Sequence, residues 1–360
     1  MGVEVFGLGA SAAWDAALEP HQPDGVDVYF KAGYHRAHCL SRPEQARLFV
    51  FRRDGEQLTY PFRLREIQRV GDAPVGGRYQ DIESVYGFTG PLATTNDAAF
   101  LTDAWSAFAD WAGEQKVVAE FVRFNPLLAN EPCAPAEMTC EWVREHVVVD
   151  LRLGPDRTWH DAYSKNNRNM IRKAERQGLT TKFEDLGNNV EAFVRLYHET
   201  MARNRAADEY YFDLPHFETL ARSVPTRVCV ARRAGLDVAI SLFLIGPDWM
   251  HYHLSGCSVE GLGLAANNLI LHEAILEASR LGLRLLHLGG GRTGAADDAL
   301  LRFKSGFSPL RRPVMIGRRV HLPGPYEEFC ALRRKQVSSI PASFFLAYRY
   351  EPRPNHAAPA

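Results

Sequence analysis

The residues of this chain best suited to chemistry are a lysine and three glycines near its C-terminal end. Lys304 stands between two aromatic residues in Phe303-Lys304-Ser305-Gly306-Phe307, shortly after Gly289, Gly290 and Gly291. An ammonium group in such company is either a snorkelling surface cation or one held at the edge of an apolar pocket, where low dielectric strengthens its field. The glycines read either as a flexible turn or as backbone able to take positive φ and approach a ligand closely. A second set is cationic. At 100° per residue Lys165, Arg168, Arg172 and Arg176 fall on one helical stripe with Lys173 beside it, while Tyr163, Met170, Ile171 and Ala174 cluster opposite. With only Glu175 to balance them, these cations suit phosphate as well as they suit plain solvation. A third set, Gly261-Leu262-Gly263 ahead of Asn267-Asn268, offers amide donors and a helix dipole to an anion.

These residues need elements to position them. Leu283 to Leu288 reads as a buried strand delivering the chain into the glycine loop, and Ala265 to Leu281 as the helix before it. Ala46 to Gly55 carries alternating residues and an Asp-Gly turn, the signature of a hairpin whose return strand is Leu58 to Leu64. Thr226 to Gly235 repeats that plan 180 residues later, with Arg47 matching Arg227 and Val50 matching Val230. Each hairpin is followed by a helix and a strand, the first pair being Ala98 to Gln115 and Val117 to Phe124. The pattern predicts an internal duplication of one α+β unit. Val147 to Leu151 reads as a β-branched strand, and Gly154-Pro155 marks the boundary after it. Gly178 should end the basic helix as its C′ residue. Another helix begins near Val190 and runs into the acidic, aromatic turn Asp208 to Phe212, and Trp249 to Leu254 is a further strand.

A chain of 360 residues exceeds one ordinary core, so two domains are expected. Its 46% hydrophobic and 24% charged residues describe a globular protein, and no apolar run approaches membrane-spanning length. Met1 to Leu18 lacks a cationic stretch before its apolar residues, which points away from a signal peptide and toward a cytoplasmic location. A net charge of −1 limits any nucleic-acid attraction to a local patch. The six cysteines form no C-x-x-C pair, so buried thiols are expected rather than zinc or disulfides. His251-x-His253 and His35-x-x-His38-Cys39 lack carboxylates at ligand spacing, and no metal site is expected.

The segment Asn167 to Gly178, the Asn267-Asn268 helix start, Leu288-Gly289-Gly290-Gly291 and Phe303-Lys304-Ser305-Gly306-Phe307 together resemble the FemAB family of aminoacyl transferases. Tyr86-Gly87-Phe88-Thr89-Gly90-Pro91 and Arg123-Phe124-Asn125-Pro126-Leu127 are similar to that family's pattern in the first half, so the resemblance spans nearly the whole chain. It implies two tandem GNAT-like α/β/α domains with a cleft between them. Residues 1–148 plus 320–360 would form the first and 149–319 the second, with the last segment, about Val320 to Tyr350, folding back onto the first domain.

The activity it implies is amide formation, moving an amino acid from aminoacyl-tRNA to an amine on a cell-wall precursor or a natural-product intermediate. The tRNA is then a co-substrate and no cofactor is required. The long coiled-coil arm of some members is missing here. Matched to the family's F-K-x-x-F position, Lys304 would hold the ester carbonyl or the tRNA end. Phe303, Phe307, Gly289, Gly290, Gly291, Arg292, Tyr86, Tyr211, Asn204 and Asn267 would touch substrate, and Lys165, Arg168, Arg172, Lys173 and Arg176 the tRNA phosphates. Asp150, Glu199, Asp208 and Glu209 are the carboxylates open to a general-base role. The alternative is a GNAT acyltransferase using acyl-CoA, disfavoured because Ser258 occupies the place of the Arg or Gln that usually precedes x-x-G-x-G/A. A non-catalytic GNAT-like binding module is a third reading.

Overall fold

The computed structural model describes residues 2–21, 26–295 and 297–352. The chain divides into two compact units, one of Met1–His21, Ser41–Trp142 and Met315–Ala360, the other of Gln22–Leu40 and Val143–Val314. Gln22–Leu40 thus departs from the expected assignment of residues 1–148 to one domain. The reason is burial within the second unit: Val28, Tyr29, Phe30 and Tyr34 are buried, and the Asp27 carboxylate meets His251 Nε2 at 2.8 Å. Short helical pieces without a sheet partner leave no sequence mark of the core they join.

In the first unit the hairpin strands are Ala46–Arg53 and Glu56–Glu66. Asp54 at φ 52° and Gly55 at φ 85° make the two-residue turn that matches strand twist. Gln80–Glu83 pairs antiparallel with the second hairpin strand. The helix Ala98–Glu114, capped by Asp97 accepting the Phe100 N–H at 2.7 Å, then carries the chain over to Val117–Arg123, parallel to Gln80–Glu83. Phe49, Phe51 and Phe62 of the hairpin bury against Phe100 and Phe108 of that helix. The C-terminal helix Pro323–Gln336 packs Phe329 and Cys330 onto Ile67, Val70 and Val118.

The second unit repeats this connectivity. Thr226–Arg233 and Leu236–Ile245 form the hairpin, turning through Ala234 at φ 48° and Gly235 at φ 82°. Trp249–Cys257 adds antiparallel, the helix Ala266–Arg280 crosses over, and Leu285–Gly290 returns parallel to Trp249–Cys257. The same order of hairpin, antiparallel strand, helix and parallel strand in both halves is what an internal duplication produces.

Both faces of the strands in the second unit are covered, giving three layers. Cys229, Ala231, Phe243 and Met250 bury against Ile171 and Ala174 of the helix Lys165–Arg176 and against Ile270, Ala274 and Ala278. On the opposite face the helix Val190–Arg203 sits so close that a Cβ on Gly256 would lie 2.5 Å from the Leu196 backbone. Only glycine permits that approach. No helix among the described residues is long and apolar enough to cross a membrane, and all six cysteines are free thiols.

Candidate functional site

The glycine loop is shaped by one carboxylate. Asp298 Oδ1 accepts the N–H groups of Leu300 and Leu301 at 2.9 and 3.0 Å, capping the helix Ala299–Ser305. Its Oδ2 accepts those of Arg292 and Thr293 at 2.9 and 3.0 Å. These bonds, the Leu301 amide foremost, hold the Asp298 pKa down at about 2. Helix and loop are therefore locked together, and Lys304 rides on the last turn.

Lys304 is 7% exposed, with Nζ donating to the Gly290 carbonyl at 2.8 Å and standing 5.7 Å from the Tyr252 ring centroid. Burial lowers its pKa to about 7, with Asp298 pulling weakly in the other direction. The two phenylalanines do not sandwich the ammonium as the sequence suggested. The segment is helical, so Phe303 and Phe307 lie one turn apart and meet each other edge-on at 5.7 Å within the core, where Phe307 packs on Tyr163. Tyr252 and the Gly290 carbonyl are what Lys304 faces.

The glycines also serve a purpose other than the one expected. Gly289 takes φ 75°, but the close approach at the next two positions is to the chain itself. A Cβ on Gly290 would lie 2.6 Å from His146 Cδ2 and 2.8 Å from the Glu145 carbonyl, and one on Gly291 would lie 2.5 Å from Asp298 Cγ. Arg292 leaves the loop to donate to Asn204 Oδ1 at 2.8 Å. Lys304, the glycines, Arg292 and Asn204 are thus brought together. Tyr211 instead packs near His198 at 5.5 Å, Asn267 opens the helix Ala266–Arg280 with a buried, unpartnered Oδ1, and Tyr86 is half-buried in the first unit.

The cationic stripe is only partly open. Arg168 Nη1 donates to the carbonyls of Trp159 at 3.1 Å and Tyr163 at 2.5 Å, where the π-turn Thr158–Ala162 leaves acceptors exposed. Lys173 Nζ donates to the Gly263 carbonyl at 2.8 Å, and Arg172 stacks 5.5 Å above the Trp159 ring. Lys165 and Arg176 project into solvent. Gly178, at φ 74°, ends the helix.

Several donors of the second anion cradle are taken up by its own turn. Val259–Gly263 is itself a short helix capped by Ser258, whose Oγ accepts the Gly261 N–H at 3.0 Å while its carbonyl accepts that of Leu262 at 3.1 Å. Leu264 and Ala265 N–H groups bond back to Glu260 and Leu262 at 3.1 and 3.2 Å. Gly261 is required because a Cβ there would collide with the Val238 carbonyl.

The carboxylates proposed as bases are engaged or peripheral. Asp150 accepts Arg152 Nε and Nη2 at 2.9 and 2.7 Å, which keeps it ionised, and Glu199 pairs with Arg203 at 3.7 Å. Asp208 and Glu209 are exposed on the turn Asp208–Tyr210. What the sequence reading missed is a row of buried histidines. His146 Nδ1 meets His287 Nε2 at 2.8 Å, His287 Nδ1 meets His251 Nδ1 at 2.9 Å, and His251 Nε2 meets Asp27 Oδ1 at 2.8 Å. Burial, then the neighbouring cation Lys304, lowers His146 to about 3, and burial with His146 drives His287 well down. The available signal was a histidine inside an apolar strand, as in Leu285-Leu286-His287-Leu288. His253 is half-buried beside other rings with its pKa lowered by desolvation to about 3, and no group of three or more His, Cys, Asp or Glu among the described residues is arranged to hold a metal.

Residues 162–305 match the family model for an acetyltransferase (GNAT) domain. Among solved structures the chain is similar to FemX, at 14% identity and a TM-score of 0.65 over 91% of this chain and 99% of that one. It is also similar to L-PGS from Bacillus licheniformis, at 13% identity and a TM-score of 0.52 over 92% and 98% of the two chains. A third is the C-terminal domain of an Agrobacterium fabrum protein provisionally named a lysylphosphatidylglycerol synthetase, at 14% identity and a TM-score of 0.51 over 85% and 92%. Comparison with curated proteins by sequence returned no match. The FemAB resemblance therefore holds at the level of the fold, and the match to the acetyltransferase (GNAT) domain model falls within the second unit.

Proposed function

We propose that this protein is an aminoacyltransferase that moves an amino acid from aminoacyl-tRNA onto a primary amine, with Lys304 and the Asp298-shaped loop as its reaction centre. The observation that carries the choice of donor is the internally bonded turn Val259–Gly263. A coenzyme A pyrophosphate needs amide donors ahead of the helix Ala266–Arg280, yet those of Gly261, Leu262, Leu264 and Ala265 are all taken up by the turn itself. An aminoacyl ester asks less of the protein. It is already activated, its aminolysis runs downhill without ATP or metal, and catalysis reduces to positioning plus stabilisation of the charge that grows on the carbonyl oxygen. A desolvated ammonium held by Gly290 is suited to that charge. The exposed Lys165 and Arg176 offer a weak electrostatic path for the nucleic acid. The acceptor class is an amine of a cell-wall precursor or of a natural-product intermediate, as with the FemAB family that the sequence resembles.

The test is transfer from a mixture of charged tRNAs carrying radiolabelled amino acids to a panel of amines, run beside acetyl-CoA and longer acyl-CoA thioesters. Label should enter an amide in an RNase-sensitive way, with the thioesters inert. Turnover that survives RNase and requires coenzyme A overturns the reading in favour of acyl-CoA.

A further inference from the structure

Three of the most exposed aliphatic side chains stand together at one end of the second unit. Leu236 and Val259 are each 69% exposed and Leu262 is 49% exposed. One exposed leucine means little, but a cluster marks a surface that meets something apolar. Leu236 opens the strand Leu236–Ile245 directly after the turn through Ala234 and Gly235, and Val259 and Leu262 lie three positions apart on the short helix Val259–Gly263, hence on one side of it. Two bonds hold these turns side by side. The Ser258 N–H donates to the Val238 carbonyl at 2.9 Å, and Arg233 Nη1 meets Glu260 Oε1 at 3.2 Å.

The cationic helix Lys165–Arg176 ends at the same place. Lys173 Nζ holds the Gly263 carbonyl at 2.8 Å, and the strand that follows Gly178 begins with Leu179 paired to Arg233. Arg172, Lys173 and Arg176 thus flank the aliphatic trio, with Arg172 and Arg176 exposed. Among the described residues no carboxylate pairs with these three cations, whereas Glu184 and Asp237 are held by Arg232 and Glu260 by Arg233. Glu175, exposed on the same helix, offsets them in part. We propose that this end of the unit is a face that docks on an anionic lipid bilayer. Leu236, Val259 and Leu262 enter the boundary between headgroups and acyl chains, and Arg172, Lys173 and Arg176 lie among the lipid phosphates.

Size, shape and charge select the bilayer over other occupants. Three aliphatic side chains fall far short of the ~800 Å² per partner that a stable protein interface buries, which disfavours a second copy or another protein. Nucleic acid would use the cations, but its backbone gains nothing from exposed valine and leucine. A bilayer uses both. The aliphatic tips supply less than one acyl chain's worth of insertion, which alone holds a protein only reversibly, and cations near an anionic surface supply the second signal that anchoring requires. Both tips are turns at the ends of elements rather than walls of a groove, so they can enter the interface with the fold unchanged. Lys165 lies about 16 Å along the helix axis from Arg176 and stays outside this face. Docking of this kind is independent of which donor the enzyme uses.

Flotation of the whole chain with lipid vesicles tests the face, using phosphatidylcholine alone and phosphatidylcholine mixed equally with phosphatidylglycerol, in the absence of RNA. Wild type should float with the mixed vesicles, stay behind with phosphatidylcholine alone, and bind more weakly as salt is added. Leu236→Ser, Val259→Ser and Leu262→Ser combined should lower the partition coefficient at least about tenfold, with urea unfolding unchanged because all three sites are exposed. Arg172→Gln with Arg176→Gln should lower it about 20- to 30-fold, since each cation near the surface contributes about fivefold. In Leu262→Trp, brominated acyl chains should quench the added fluorescence, which a purely electrostatic contact would not allow; this variant decides the matter if the serine variant fails to fold. Wild type that ignores the mixed vesicles, a folded serine variant that floats as well as wild type, or an unquenched tryptophan overturns the proposal. Self-association that the serine variant abolishes, without vesicle binding, gives the face to a second copy, and loss of tRNA affinity with vesicle binding intact gives it to RNA; either result overturns it too. Transfer from charged tRNA is measured without vesicles, so failure of this face and failure of the functional reading are separate results.

Discussion

Replacing Lys304 with methionine should stabilise the protein while abolishing its activity, and the stabilisation should depend on pH in a way only a buried cation produces. Burial depresses the Lys304 pKa from 10.5 to about 7, a difference that corresponds to about 5 kcal/mol of destabilisation when the lysine is charged in both states. The sign follows from proton counting. Between pH 7 and 10.5 the unfolded chain holds the lysine proton and the folded chain does not, so wild-type stability rises with pH across this window, at up to about 1.4 kcal/mol per pH unit. Methionine keeps similar length and removes the charge. It also leaves the Gly290 carbonyl without its donor, at a cost of about 1–2 kcal/mol. The variant should therefore exceed wild type by about 3 kcal/mol at pH 6 and fall level with it near about pH 9–10. Of the groups around Lys304, Asp298 at about 2 and His146 at about 3 titrate well below this window, and Tyr252 is pushed upward. Urea unfolding of both proteins from pH 6 to 10.5 measures the difference, alongside single-turnover transfer, which should drop by about 10²–10³ by analogy with loss of one oxyanion donor. A stability difference that is constant with pH, or a methionine variant less stable at every pH, would refute the reasoning.

If Lys304 acts as a cation, kcat/KM should fall as pH rises through about 7, because the protonated form disappears there; Lys304→Arg should retain partial activity and lose this decline, whereas activity that rises through the same range would make the lysine a base. The stripe should split into two kinds of residue. Arg168→Ala and Lys173→Ala should lower the unfolding free energy read from urea curves, by about 1–2 kcal/mol each, with little change in the salt dependence of tRNA binding. Lys165→Ala and Arg176→Ala should leave stability alone and reduce the slope of log K against log salt, by about 0.7–0.9 for each phosphate no longer neutralised. Gly290→Ala should destabilise by about 1–3 kcal/mol through overpacking against His146 and Glu145, and transfer should be lost with it; a fully active, equally stable variant would mean that the ring can move aside at no cost.

Local patterns were legible in the chain by itself, because alternation, turn dipeptides and helix caps act over a few residues. The Asp54-Gly55 and Ala234-Gly235 hairpins, the crossover helices, the basic helix ending at Gly178 and the strand feeding the glycine loop all stand where the pattern put them, within one to three residues at their ends. The duplicated plan and the FemAB-like fold followed, since both are orders of such local signals. What needed tertiary structure was the direction in which each polar group faces. Lys304 turned away from its sequence neighbours toward Tyr252 and Gly290, and Arg168 and Lys173 turned from phosphate to backbone carbonyls. Gly290 and Gly291 proved to be small because His146 and Asp298 press on them. The row from Asp27 to His146 joins residues separated in sequence by 224, 36 and 141 positions, and each bond in it exists only because strands and the Gln22–Leu40 segment meet in one core. Short-range preferences can choose a helix or a strand, but a hydrogen bond between distant buried rings is decided by packing.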